Sequence, residues 1–524
     1  MNNYGSILAA AIFVLIKLCL ADSNTTAEFK SFCHELRLPD PDTQLLIEKF
    51  SRISTPDDVL DVACATARFA LGQDQVDTAP LNQTVVNENW SQTCIAQPHC
   101  IIQPMEAQHV SASLKIIAFF QVKFATRSGG HSPNPGWASI GNEGILLDMS
   151  RMNQIILSDD GKVVNVGPGA RWGDVVAALD PYNVTVVAGR DPTVGVAGLV
   201  LGGGYSHLSP KYGLVADNVK NFEVVIADGT VMDANADRNK DLFWALKGGG
   251  PNFGIVTRFD LETVPITRIW LQIAVYSPDQ ASEILEAYSE WQNDENSDHE
   301  STVGIVIGLD TITLGLVYFG PLSSPNSFTP FFDLDPLEIA IPPMNTTFAF
   351  LNSIFSTAFP SIPARHDFRA VSSYIDAQLY KDVYRFWLQS SQAIRETTGA
   401  NQTFVFQHVP ASMVQQGRNK GGNPLALELK HQQWWTTTID WERSEDDELV
   451  RTASIDTVEQ WEKLSRQRGL DLPFIFMNDA SRDQNPLASY GSESVDRLKQ
   501  ISQKYDPNQL FQKLQGNGFL LSNL

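Results

Sequence analysis

The sequence predicts an α+β protein of two or three domains, with a glycine-rich α/β part followed by an antiparallel sheet flanked by helices. Three observations carry this. The chain has 524 residues, too many for one hydrophobic core. Between about residues 98 and 265, strand and helix patterns alternate with short connections, including the hairpin dipeptides Asp160-Gly161 and Asp228-Gly229. After Pro265 the character changes to paired strands and longer amphipathic helices.

The elements follow in order. Ala27 to Gln73 reads as helix, with Leu46 and Phe50 on one face and Val59, Val62, Ala63 and Ala67 continuing it. Asn87 to Pro98 is polar and loop-like. Glu106 to Phe120 is a second helix, carrying Val110, Leu114 and Ile117 at helical spacing. Phe124-Ala125-Thr126 is a short strand leading into Arg127-Ser128-Gly129-Gly130-His131-Ser132. Ile145 to Met149 is the next strand. Hairpins join Gln154–Leu157 to Lys162–Val166 and Phe222–Ala227 to Thr230–Met232. Trp172 to Leu179 and Asp241 to Lys247 are helical, and Ile255 to Leu261 is a strand.

In the second part, Trp270 to Tyr276 is a strand and Pro278 to Gln292 an amphipathic helix. Val303–Gly308 and Thr311–Phe319 form an antiparallel pair. Leu379–Thr397 and Ile455–Arg468 are helices, and Thr403–His408 and Trp434–Trp441 are strands. Lys504 to Phe519 reads as a polar turn and an aromatic tail.

Composition excludes some partners. A net charge of -22 argues against nucleic acid and anionic membrane surfaces, which need clustered Lys and Arg. Residues 1–21 read as a secretory signal peptide, with an apolar run from Ile7 to Leu20 and cleavage near Ala21; a short signal anchor is the alternative. No later segment is long and apolar enough to span a bilayer. Cys33, Cys64, Cys94 and Cys100 would remain in the mature chain, and four cysteines permit three pairings. Cys33–Cys64 with Cys94–Cys100 is favoured, because the first staples two helices and the second closes a short loop. A zinc site is disfavoured for lack of CxxC spacing or clustered histidines, and no metal is expected. Sequons at Asn24, Asn82, Asn89, Asn183, Asn345 and Asn401 suit a secreted glycoprotein. A monomer in the extracellular space or secretory pathway is expected.

The glycine runs need a ligand. Gly202-Gly203-Gly204-Tyr205 is not the GxGxxG of a dinucleotide fold, and no glycine run ends in Gly-Lys-Ser/Thr. Glycines allow close backbone approach, and backbone N–H dipoles can hold a diphosphate in an acidic protein. His131 places one nucleophilic ring at that spot.

These residues carry a family resemblance. The segments are Arg127–Ser132 with Ile145–Ser150; Pro192-Thr193-Val194-Gly195-Val196-Ala197-Gly198 running into Leu201–Tyr205; Leu246–Thr257; and Tyr505-Asp506-Pro507-Asn508 with Phe511. In this order they resemble the secreted, fungal type of FAD-linked oxidoreductase in the berberine-bridge-enzyme-like group, which has a vanillyl-alcohol oxidase/p-cresol methylhydroxylase (PCMH) type of FAD domain. The resemblance implies a helical part at 22–97, a PCMH-type FAD domain at 98–266, a substrate domain at 267–470 and a C-terminal segment at 471–524 returning to the FAD domain.

It also implies FAD joined covalently through His131. Arg127, Ser128, Gly129, Gly130 and Ser132 would cradle the cofactor, and Val194, Gly195, Gly198, Ile255, Val256 and Asn478 would line the rest. Some members add a cysteine bond just before Pro-Thr-Val-Gly. Here Arg190-Asp191 precedes Pro192, so attachment through His131 only is expected. The family often has a tyrosine after an asparagine near the C-terminus; Asp479 stands there, a candidate base or a turn cap. Tyr374 and His408 are further candidates. Trp434, Trp435 and Trp441 are either core or a clamp for a planar substrate.

The implied reaction is oxidation of a small hydrophobic alcohol or biosynthetic intermediate of secondary metabolism. Dioxygen would be reduced to hydrogen peroxide, and the oxidation could trigger cyclisation. A carbohydrate oxidase of the same fold and a flavin-binding cyclase with little net redox are the alternatives.

Overall fold

The computed structural model describes residues 23–294, 299–322, 325–358 and 364–524. The signal-peptide reading of residues 1–21 lies outside them. Among these residues the chain forms three sheets. The first has order β1-β2-β4-β3, from β1 (Val76–Thr78), β2 (Cys100–Ile102), β3 (Lys123–Arg127) and β4 (Gly144–Asp148). Pairing of β4 with β2 and with β3 is parallel. The helices Ser23–Glu35, Asp40–Phe50, Pro56–Leu71 and Ala107–Phe120 cover one face, with Phe29, Phe50 and Phe120 in contact. The third of these helices starts sharply. Thr55 accepts from Asp58 N, Asp58 accepts from Thr55 N, and Pro56 sits at the first turn.

The second sheet holds β5 (Ile155–Leu157), β6 (Val163–Val166), β7 (Thr185–Val186), β8 (Val219–Val225), β9 (Val231–Asn235) and β10 (Ile255–Val264) in the order β5-β6-β10-β8-β9, with β7 on β10. Both Asp-Gly hairpins form, as β5–β6 and β8–β9.

The third sheet, which the sequence reading expects to belong to a substrate domain, is the largest. It comprises β11 (Arg268–Tyr276), β12 (Ser301–Ile307), β13 (Ile312–Tyr318), β14 (Glu338–Thr347), β15 (Arg365–Ser373), β16 (Asn401–Val409), β17 (Gln432–Trp441) and β18 (Asp471–Leu472). Their order is β14-β11-β13-β12-β16-β17-β15-β18, all antiparallel. Helices Ala281–Gln292, Ala377–Thr398 and Asp447–Arg468 pack on one face, where Trp435 stacks on Trp461. Strand alternation sends Trp434 to the opposite face, into the FAD-domain core with Phe474 and Phe476. After β18 the chain rejoins the FAD domain: Gly516 N donates to Phe124 O, and Leu521 N to Asn252.

Several expectations are corrected. The disulfide is Cys64–Cys100; Cys33 and Cys94 are free and buried. Cys100 lies on β2 with its side chain in the helical core, where the helix Pro56–Leu71 presents Cys64. Cys94 instead sits under the histidine loop, its thiol donating to Ser132 O, and burial pushes it up to about 11. Asn89 is buried and its amide donates to Cys94 O, so it offers no glycan acceptor in the folded chain. Asn24, Asn82, Asn183, Asn345 and Asn401 are exposed. Elements that the sequence reading does not contain include β14, β15 and the helices Phe348–Ala358, Ala411–Asn419 and Ser492–Tyr505.

Candidate active site

The loop after β3 is held from below. Arg127 Nε donates to Asp148 Oδ2 at 2.7 Å, and a second guanidinium nitrogen reaches the Val85 carbonyl. Arg127 is 1% exposed. It therefore braces the loop across β3 and β4, while its Nη1 is buried with no hydrogen-bond partner among the described residues. Ser128 Oγ donates to Pro168 O.

Gly129 and Gly195 show why glycine is needed. A Cβ on Gly129 would stand 2.5 Å from Gly195 N, and one on Gly195 would stand 2.3 Å from Gly129 N. Two segments far apart in sequence thus meet backbone to backbone. Gly130 has φ +65°, a left-handed position. Gly198 is different: it is exposed, and a Cβ there would meet nothing. A glycine cradle with open space along one side fits a large planar cofactor.

His131 sits at the end of this cradle. Its ring stacks on Trp90 with centroids 4.4 Å apart and planes at 9°. Trp90 stacks in turn on His366, whose Nδ1 lies 2.5 Å from Asp440 Oδ1. The Nε2 of His131 is buried and makes no hydrogen bond; Asp191 Oδ2 is 3.7 Å away. Burial holds His131 down at about 4, opposed by Asp191 and assisted by Arg171 and His366. The ring is therefore neutral at physiological pH, with a lone pair available for bonding. A neutral imidazole fixed by stacking at the end of the cradle fits covalent attachment of FAD.

Residues 478–480 are stitched to both sides of the cradle. Asn478 accepts from Gly204 N and donates to Gly198 O, each at 3.1 Å. Asn134 donates to Ala480 O. Between them, Asp479 Oδ2 accepts from Thr436 Oγ1 at 2.6 Å and from Gln407 Nε2. Gln407 Oε1 accepts from Arg190 at 2.8 Å. Asp479 thus does not cap a turn; it joins the substrate sheet. Burial raises its pKa, opposed by Thr436, Arg190 and Gln407.

The same alternation that sends Trp434 inward puts Thr436, Thr438 and Asp440 on this face, beside Gln407 and Thr403 of β16 and His366 of β15. Trp435 and Trp441 lie on the helical face, and Trp434 packs on phenylalanines, so none clamps a substrate. Tyr374 is also elsewhere: it bonds Glu428 near the surface, at the sheet's end. His408 faces the helices, against Trp291 and His431. Ser132 accepts from Asn134 N and so shapes the loop. Val194 O accepts from Trp172 N. Ile255 and Val256 bury their side chains in two cores. They pair with β8, whereas β6 pairing begins at Phe259, so their backbone is open on that side.

Trp90, Arg190, His366, Gln407, Thr436 and Asp440 were missed. Counting alternate residues along Trp434–Trp441 would have put Thr436 and Asp440 on one face; nothing local marks Trp90 or Gln407.

Comparisons with known proteins bear on the cofactor class and the fold. Residues 98–235 match the FAD binding domain family. An FAD-dependent monooxygenase of Arthrobotrys oligospora is 36% identical over 460 residues, covering 88% of this chain and 89% of that protein. The bifunctional solanapyrone synthase of Alternaria solani is 32% identical over 433 residues, covering 82% and 83%. Among solved structures, xylooligosaccharide oxidase from Myceliophthora thermophila C1 aligns with TM-score 0.73 at 20% identity, over 88% of this chain and 99% of that one. A BBE-like protein of Physcomitrella patens aligns with TM-score 0.68 at 20% identity, over 85% and 96%.

Fold and site together define an FAD-linked oxidoreductase. The chain belongs to the berberine-bridge-enzyme-like family of these enzymes, and the PCMH-type FAD domain with an antiparallel substrate domain is its fold.

Proposed function

We propose that this enzyme oxidises a small hydrophobic alcohol or biosynthetic intermediate of secondary metabolism, with Asp479 as the base and FAD held through His131 alone. The observation that carries the proposal is Asp479 itself. Its carboxylate is fixed by Thr436 and Gln407 on the sheet face opposite the cradle, with its pKa raised by burial. Bound FAD supplies a two-electron acceptor, which dioxygen can reoxidise with release of hydrogen peroxide. Asp479 takes the O–H proton from the substrate. Its raised pKa brings proton affinity closer to working pH, which favours general-base catalysis. Arg190, acting through Gln407, keeps the carboxylate ionisable. No cysteine stands immediately before Pro192, which supports attachment through His131 alone and weighs against a carbohydrate substrate.

The relatives' names favour a second reading, oxygen insertion, because several are FAD-dependent monooxygenases. The similarity to a bifunctional solanapyrone synthase supports a biosynthetic substrate. Secretion belongs to the same proposal, supported by the Cys64–Cys100 disulfide and the exposed sequons.

One experiment separates these readings. A panel of alcohols and polyketide-like compounds is added anaerobically while flavin absorbance is followed. Peroxide and product mass are then measured under isotopically labelled dioxygen. Bleaching with stoichiometric peroxide and no label in the product is expected. Label in the product would replace the oxidase with a monooxygenase. Product formed while the flavin never bleaches would leave the cyclase.

A further inference from the structure

Beside the histidine loop, Asp191 has one carboxylate oxygen fixed within its own turn and the other free of that turn. Its Oδ1 accepts two hydrogen bonds from Thr193, from the backbone N at 2.7 Å and from Oγ1 at 2.6 Å. That leaves Oδ2 turned toward His131 Nε2 at 3.7 Å. The imidazole plane is fixed by stacking on Trp90. Among the described residues, Nε2 is enclosed and has no hydrogen-bond partner. A carboxylate oxygen is held on one side and the imidazole on the other, separated by slightly more than a hydrogen bond.

We propose that Asp191 is a positioning residue for covalent attachment of FAD: it keeps the proton of His131 on Nε2, leaving Nδ1 as the bonding nitrogen, and accepts that proton as the bond forms. This rests on the reading that His131 carries the flavin.

The step balances as follows. Nδ1 of neutral His131 forms a bond to the 8α carbon. One C–H bond at that carbon breaks, and the alkylated ring becomes positive until Nε2–H is also lost. Two protons and two electrons leave in all, and dioxygen takes them as hydrogen peroxide. Before attack, Asp191 selects the tautomer with hydrogen on Nε2. During attack, its charge offsets the developing imidazolium, and it is the near acceptor for the released proton. Arg171 and His366 oppose that positive charge, so the carboxylate is needed against them. Asp191 occupies the position before Pro192 at which some family members carry a second flavin bond. Here that position assists the one remaining bond.

The test uses the full-length chain in wild-type, Asp191→Asn, Asp191→Glu and His131→Ala forms. Flavin retained after acid precipitation is followed with time by intact mass, and total bound FAD is measured before precipitation. The attachment point is read from the histidyl-flavin released by digestion. Wild type should be linked through Nδ1, and His131→Ala should retain none. Asp191→Asn should bind FAD but link it at least about tenfold more slowly, at the low end of general acid–base effects, and Asp191→Glu should recover part of the rate. If Asp191→Asn fails to bind FAD, Thr193→Val, which releases one hold on the carboxylate, should show the slowing. Linkage at the wild-type rate in these variants, or attachment through Nε2, overturns the inference while leaving the His131 linkage intact. Absence of retained flavin in wild type removes both.

Discussion

The carboxylate of Asp479 lies 2.6 Å from the hydroxyl of Thr436, tying the loop that closes the flavin cradle to the inward face of the substrate sheet. Gln407 completes the hold and connects it to Arg190. In the proposed role of base, a carboxylate fixed by a rigid sheet needs no reorganisation to meet substrate. Asp479→Asn should therefore lower kcat by about 10²–10⁴-fold, the usual range for general-base loss, with FAD still bound. Tyr374→Phe should leave kcat unchanged, because that hydroxyl bonds Glu428 away from the site. Steady-state oxygen uptake on both variants checks this.

The same carboxylate sets a pH dependence. Its folded pKa is raised by burial, so the native state binds this proton more tightly than the unfolded chain. Between the unfolded pKa of about 3.9 and the raised folded value, stability falls as pH rises, and the loss persists above that window. Activity runs the other way, because the base works when ionised. Asp479→Asn should thus raise Tm at neutral pH while removing activity. Arg190→Gln should move the activity profile to higher pH, since Arg190 lowers the Asp479 pKa. Thermal melts at pH 4 and 7 and a kcat profile test both signs.

Two glycines should fail in different ways. Gly129→Ala sets a Cβ against the Gly195 backbone, and such overpacking costs about 1–3 kcal/mol; both Tm and bound FAD should drop. Gly198→Ala meets no protein atom and lies in the helix Val196–Leu201, where alanine is favoured by up to about 1 kcal/mol. Its cofactor-free form should be at least as stable as wild type, yet it should retain less FAD. Melting curves with flavin content separate the two.

The disulfide gives a covalent test. Peptide mapping without reduction should recover Cys64 joined to Cys100, with Cys33 and Cys94 alkylated only after unfolding, since both are buried. Cys64→Ser with Cys100→Ser should lower stability by about 2–4 kcal/mol.

Much of this architecture was legible. Both Asp-Gly hairpins formed where the turn chemistry required them, and the helices with clear 3.6-residue periodicity are present. The strands β14 and β15 were not legible: β14 carries Pro342-Pro343 at an exposed edge, and β15 mixes charged and apolar residues because both its faces are covered. The cysteine pairing failed for a similar reason. Loop length favoured Cys94–Cys100, but β2 turns Cys100 toward the helices while Cys94 belongs to the layer under His131.

By itself, the sequence determined the FAD-binding class, the histidine at the end of the glycine loop and the missing cysteine before Pro192. These are local: a glycine run, a strand before it and a residue type at one position suffice. Tertiary structure alone decided what surrounds His131 and Asp479. Trp90, Asp191 and His366 converge on the first, and Arg190, Gln407 and Thr436 on the second, from segments up to 289 residues apart, Arg190 to Asp479. Hydrogen bonds and stacking act over a few ångströms of space, and no spacing along the chain encodes which distant strand faces will meet.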